Sequence, residues 1–157
     1  RTPISLNMNI KSVMSHEFTQ LVRLLSPSQR EKIIIEIHCV DLISDPGAFQ
    51  FAHAYLSNIG FELALDGTDI FSFPEFARHD VGFHYVKLGW DEALEGELTL
   101  SDLQRLDKAV RQLGSEKVIL CHCGTARAME FGHQVGVYNF QGRHIDELLN
   151  PSLRRQN

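Results

Sequence analysis

No apolar run in these 157 residues approaches the roughly 18–20 that a bilayer-crossing helix needs. A membrane-spanning helix is therefore excluded. Positive charge is also in deficit: 15 Lys and Arg against 20 Asp and Glu give a formal charge of −5. That balance leaves no electrostatic footprint for duplex DNA or RNA. Cysteine is scarce and odd in number, at Cys39, Cys121 and Cys123. Three thiols argue against a disulfide scaffold and for a reducing, cytoplasmic setting. The glycine-rich phosphate loop that follows the first strand of many nucleotide-binding sheets is missing too. Repeats, low-complexity tracts and Pro/Gly/Ser-rich linkers are absent, so residues 1–150 read as one domain and 151–157 as a C-terminal tail. The chain opens on Arg1 rather than Met and reads as a piece of something longer. Against these absences stands an ordinary globular composition, 43% hydrophobic and 22% charged, with enough apolar surface to offset the entropy of ordering.

The pattern that is present is an alternation. Short β-branched runs fall at Ile4–Met8, Lys32–Ile37, Phe61–Leu65, His84–Leu88, Lys117–Leu120 and Gly136–Phe140. Helical spacing lies between them. Asp45 caps a helix with Pro46 in its first turn, Phe49, Ala52, Leu56 and Ile59 on one face, and Gly60 at its end. Ser15 starts another, with Phe18, Leu21, Val22 and Leu25 on its buried side. Ser101 and Gln104 form a capping box ahead of Leu103, Leu106, Val110 and Leu113, and Ala126–His133 is a shorter helix. Strand followed by helix, repeated, means parallel strands joined by crossovers. Two α/β architectures satisfy this pattern, a TIM-type (β/α) barrel and a doubly wound open sheet.

Polar residues sit at the C-terminal ends of nearly all these strands, where α/β barrels build their sites. They are Asn7, Glu36, Asp66, Lys87, the Cys121-His122-Cys123 run and Gln141. Glu36 is the most informative, because a carboxylate flanked by isoleucines in a buried strand is costly unless paired or metal-bound. Asn7, Glu36 and Asp66 together offer oxygen ligands for a hard cation such as Mg²⁺ or Mn²⁺, with Lys87 placed to act on a bound water or phosphate. A second, softer set is His38, Cys121 and Cys123, which suits Zn²⁺. Along a strand, side chains alternate, so Cys121 and Cys123 are expected on one face and His122 on the other. Small buried thiols are the simpler account of these cysteines, and Trp90 reads as packing rather than as a base-stacking platform.

At these residues the chain resembles the EAL domain, the bacterial barrel that hydrolyses cyclic di-GMP. Ile4-Ser-Leu-Asn7 is similar to the strand carrying the family's metal-binding Asn, and Ile33-Ile-Ile-Glu-Ile37 to the strand with a glutamate ligand. Gly60-Phe-Glu-Leu-Ala-Leu-Asp66 resembles the strand leading into its Asp-Asp-Phe-Gly segment. Tyr85-Val-Lys87 takes the place of the catalytic lysine strand, and Gln141-Gly142 that of the Gln-Gly ending the last strand. Glu36 and Asp66 are 30 positions apart and Asp66 and Lys87 are 21 apart, in step with the family pattern. The resemblance implies an incomplete TIM-type barrel of about six βα units, whose first strands, including the name-giving one, lie before Arg1.

Departures from the pattern imply lost chemistry. Gly67 stands where the family has its second aspartate, and Thr68-Asp69 replace Phe-Gly. Leu120-Cys-His-Cys-Gly-Thr125 replaces Ala-Glu-Gly-Val-Glu-Thr, so two glutamates become Cys121 and Gly124. Holding two ions about 3.5–4 Å apart needs those carboxylates. The expectation is a degenerate, non-hydrolysing domain, Lys87 vestigial and Gln141 a ligand contact, that serves as a regulatory, nucleotide-sensing or interaction module. No cofactor is expected, Mg²⁺ or Mn²⁺ entering only if the partial site binds. The alternatives are weak metal-dependent cleavage of cyclic di-GMP and the zinc or thiol site. Six strands leave a barrel with open edges, so upstream strands, a protein partner or a second copy are expected to cover them.

Overall fold

The computed structural model describes residues 3–79, 82–150 and 152. The expected tail, 151–157, lies outside the described residues apart from Ser152. Contacts divide the chain into two units, Arg1–Gly67 with Phe83–Tyr85, and Thr68–Gly82 with Val86–Asn157.

In the first unit the order is β1 (Ile4–Asn7), α1 (Ile10–Val13), α2 (His16–Leu24), α3 (Pro27–Arg30), β2 (Ile33–His38), α4 (Cys39–Ser44), α5 (Pro46–Asn58) and β3 (Glu62–Thr68). β1 pairs with β2 in parallel, from Ile4 beside Ile33 to Asn7 beside Glu36. β2 pairs with β3 in parallel, from Ile34 beside Glu62 to His38 beside Asp66. Local chemistry sets the helix starts. Ser15 Oγ accepts from the Phe18 N–H at 3.1 Å, and Asp45 Oδ1 from the Ala48 N–H at 2.9 Å, as their positions predict. Ile35, Ile37, Leu63 and Leu65 on the strands and Ala52 and Leu56 on α5 are fully buried. Phe18 packs on Phe61, and Phe49 on Phe83. The buried stripe of α2 is narrower than expected: Phe18 and Val22 are inside, Leu21 is 41% exposed, and Leu25 is the C-cap.

The second unit runs α6 (Phe73–His79), β4 (Tyr85–Gly89), α7 (Leu100–Leu113), β5 (Val118–Cys121), α8 (Ala126–Gln134), β6 (Asn139–Phe140) and α9 (Arg143–Leu149). β4 and β5 are parallel, from Val86 beside Val118 to Gly89 beside Cys121, and β5 and β6 are parallel from Ile119 beside Asn139. Leu88, Leu106, Val110, Val118 and Leu120 form the centre of its core. Trp90 is buried and stacks on Phe131 with ring centroids 4.2 Å apart, a packing role.

The capping box of α7 is not the expected one. Thr99 Oγ1 accepts from the Asp102 N–H, and Asp102 Oδ2 accepts from the Thr99 N–H at 2.9 Å and its hydroxyl at 2.6 Å. A carboxylate at the third helical position draws the start two residues upstream and leaves Ser101 inside the first turn. The last strand is two residues long rather than five, because the Val137 N–H is taken by the Gly132 carbonyl at the end of α8. Short helices α1, α3, α4, α6 and α9 have too few residues for a periodic signal to show in the sequence.

Candidate functional site

In the first unit, strand register alone gathers four of the expected residues onto one face. Asn7 lies beside Glu36 and Glu36 beside Ala64, so their side chains leave the sheet on the same side. His38 and Asp66, beside each other, are each two residues further along and share that face. Depth separates them. Glu36 is 4% exposed between two fully buried isoleucines, Asp66 is half-buried, and Asn7 and His38 are exposed. Asp66 Oδ1 accepts the Gly67 N–H at 2.8 Å.

The space at position 67 is taken up by a neighbouring side chain. Gly67 has φ +80°, and a Cβ there would fall on the imidazole of His38. The ring is held by its own duties: Nδ1 accepts the Val40 N–H at 3.2 Å and so caps α4. The neutral ring therefore carries its proton on Nε2. The Cys39 thiol donates to the Gly67 carbonyl at 3.2 Å, fixing the same corner from below. Asp69, the nearest other carboxylate in the chain, is committed elsewhere. Its Oδ1 accepts from the Phe71 N–H, the Ser72 N–H and the Ser72 hydroxyl, and these bonds, the Ser72 backbone bond foremost, hold its carboxyl below the usual value. Thus no carboxylate stands at 67. Among the described residues, no group of three or more His, Cys, Asp and Glu side chains is arranged to hold a metal ion.

The second unit carries Lys87, Cys121 and Gln141. Lys87 lies beside Ile119 on β4 and is 8% exposed, its carbonyl accepting the Thr68 hydroxyl at 2.6 Å. Gly89 and Cys121, two residues on and beside each other, share its face. The Cys121 thiol reaches Gln141 Oε1 at 3.5 Å, so the exposed Gln141 is tied to that face as well. Cys123 is fully buried, its thiol directed to the Leu120 carbonyl at 3.3 Å. Burial pushes that thiol's pKa up, against a smaller opposing effect of its Gln141 backbone hydrogen bond, which disfavours the thiolate that zinc requires.

The simple alternation expected through Cys121-His122-Cys123 does not hold. β5 ends at Cys121, and His122 has φ +64°, the one left-handed non-glycine among the described residues. Its Nδ1 lies 4.0 Å from where a Gly89 Cβ would be. The turn brings the ring toward the Lys87 face instead of away from it. The only sequence signal for this was negative, a polar residue where a strand was running out. Glu92 was missed as well; its carboxylate lies against Gly124, with Oε1 3.2 Å from a Cβ placed there.

Comparison with known proteins bears on the fold. No protein-family model and no curated protein matches this sequence. Solved structures do. The S helix–GGDEF–EAL portion of Vibrio cholerae LapD in its apo form is 18% identical with a TM-score of 0.69, over 93% of this chain and 37% of that one. Bacillus subtilis YkuI, a protein with an EAL domain in complex with substrate c-di-GMP and calcium, is 15% identical with a TM-score of 0.68, over 97% of this chain and 42% of that one. The FimX EAL domain of Xanthomonas citri in complex with c-di-GMP is 14% identical with a TM-score of 0.69, over 90% and 58%. This chain therefore spans less than two thirds of each of these chains. Its parallel strands and crossover helices follow the path of those domains across nearly all of its own length, and the chain has the fold of an incomplete EAL-type (β/α) barrel.

Proposed function

We propose that this chain is a non-hydrolysing relative of cyclic di-GMP phosphodiesterase domains that acts as a regulatory, nucleotide-sensing or protein-interaction module in bacterial cytoplasmic signalling. One observation carries the reading: the place of a side chain at position 67 is filled by the His38 ring, which caps α4 and has no negative oxygen to offer a cation. Asn7, Glu36 and Asp66 remain on one face as a partial set, and Lys87 is buried on β4. The ligand in this reading is cyclic di-GMP, contacted at Gln141. Solved neighbours of the same fold include LapD bound to c-di-GMP, which supports that ligand class. The open strand edges are covered by strands upstream of this segment, by a protein partner or by a second copy.

Calorimetric titration with cyclic di-GMP, with and without Mg²⁺ or Mn²⁺, tests the reading together with product analysis. Binding without turnover is expected. Cation-dependent cleavage would select instead a weak hydrolase using one ion on Asn7, Glu36 and Asp66, and two bound Mn²⁺ per chain would overturn the proposal. Stoichiometric zinc after purification without added metal would point to the His38, Cys121 and Cys123 alternative. No binding of nucleotide at all would leave only the interaction role.

A further inference from the structure

His122 is the residue for which the fold makes an unusual provision. It adopts φ +64°, a conformation that L side chains other than Asn, Asp and His seldom enter. Strand alternation would direct position 122 away from the face shared by Lys87, Gly89 and Cys121. The left-handed turn redirects it, and the imidazole comes to rest against Gly89, one strand repeat beyond Lys87 on that same face. The ring is exposed, although the residues on either side of it, Cys121 and Cys123, are buried. Backbone strain of this kind persists where the surrounding structure fixes it, and here Cys123 is fixed on both sides. Its N–H donates to the Gln141 carbonyl and its carbonyl accepts the His144 N–H. The loop thus holds the exposed His122 beside Gly89, between two cysteines that each bond to the exposed Gln141.

We propose that His122 is a further ligand-contacting residue of this strand end, its ring N–H donating to a phosphodiester oxygen of a cyclic dinucleotide that also meets Gln141. With Oε1 of Gln141 taken by the Cys121 thiol, its side-chain NH2 is a donor, as is a ring N–H of His122, and two donors match an anionic, oxygen-lined ligand. This inference rests on the nucleotide-binding reading above and adds to it a contact that the sequence pattern had turned the other way.

The test measures both stability and affinity in the full chain. His122→Gly removes the ring and relaxes the left-handed backbone, and His122→Asn keeps a residue tolerant of that backbone without the imidazole. The melting temperature of His122→Gly is expected to stay level or rise, while cyclic di-GMP affinity falls about tenfold in both variants, the size of one hydrogen bond to a charged group. Gln141→Ala serves as the comparison. If wild type binds and Gln141→Ala weakens binding but His122→Gly does not, the inference fails and the nucleotide reading stands. If His122→Gly loses stability along with affinity, the ring is structural and the inference is overturned. If wild type shows no binding of cyclic di-GMP, both fall together.

Discussion

The imidazole of His38 and the missing side chain of Gly67 are two halves of one arrangement: the ring fills the volume that any residue larger than glycine would claim. This pairing makes position 67 hard to restore to a carboxylate. Gly67→Asp is expected to destabilise the fold by about 2 kcal/mol or more, combining a left-handed backbone with overpacking. In a His38→Ser background, where serine still caps α4, the loss should shrink to about 1 kcal/mol. Urea unfolding of the four proteins closes the cycle, and strictly additive losses would mean that the two positions do not compete for space.

The start of α7 makes a sharper local prediction. Thr99→Ala removes one side of the capping box and should lower stability by about 1 kcal/mol. Ser101→Ala, inside the first turn, should change it by less than about 0.5 kcal/mol. The reverse ranking in denaturant midpoints would place the cap at Ser101.

Acid response should follow Asp69. Its carboxyl is held below the ordinary 3.8 chiefly by the Ser72 backbone bond, opposed by desolvation. A depressed folded-state pKa gives stability that is present above the unfolded value and is lost as pH falls through the folded value. Asp69→Ala should therefore cost about 1 kcal/mol at pH 7, and the gap from wild type should narrow as the pH drops below about 4. Thermal melts at pH 7, 5 and 3 read this directly, and a gap independent of pH would show that the charged form is not the one being stabilised.

Gly142 allows no side chain. With φ +150°, a Cβ there would strike the backbone N, C and O of Cys123, atoms that cannot step aside. Gly142→Ala is expected to cost about 2–4 kcal/mol, well above the usual glycine-to-alanine effect on a surface loop. A melting temperature equal to that of wild type would mean that the two loops are not in contact in solution.

Much of the architecture could be read from residue order because it rests on local chemistry. Asp45 with Pro46, Ser15 with Phe18 and the β-branched runs each act within a few residues, and the first five strands and the main helices fall close to where those signals put them. The α7 cap was misplaced by two residues because Ser-x-x-Gln and Thr-x-x-Asp compete within one short stretch, and only the geometry of the first turn decides between them. That Asn7, Glu36 and Asp66 share one face was legible for a different reason. Parallel register converts equal depth along successive strands into a common face. What remained hidden was any fact that depends on where a strand stops. His122 turned back because β5 ended one residue before it, and His38 filled position 67 because α4 began one residue after it. Periodicity carries no information about such endings.

The knot of main-chain bonds joining the tips of β5 and β6 has a dynamic consequence. Gln141 gives its N–H to Leu120, Cys123 gives its own to Gln141, and His144 gives its own to Cys123. None of these protons can meet solvent unless its neighbours let go, so the two tips must breathe as a single unit. In deuterated buffer those three amides should fade at a common rate, slower than solitary loop protons, because separating them requires breaking the whole knot at once.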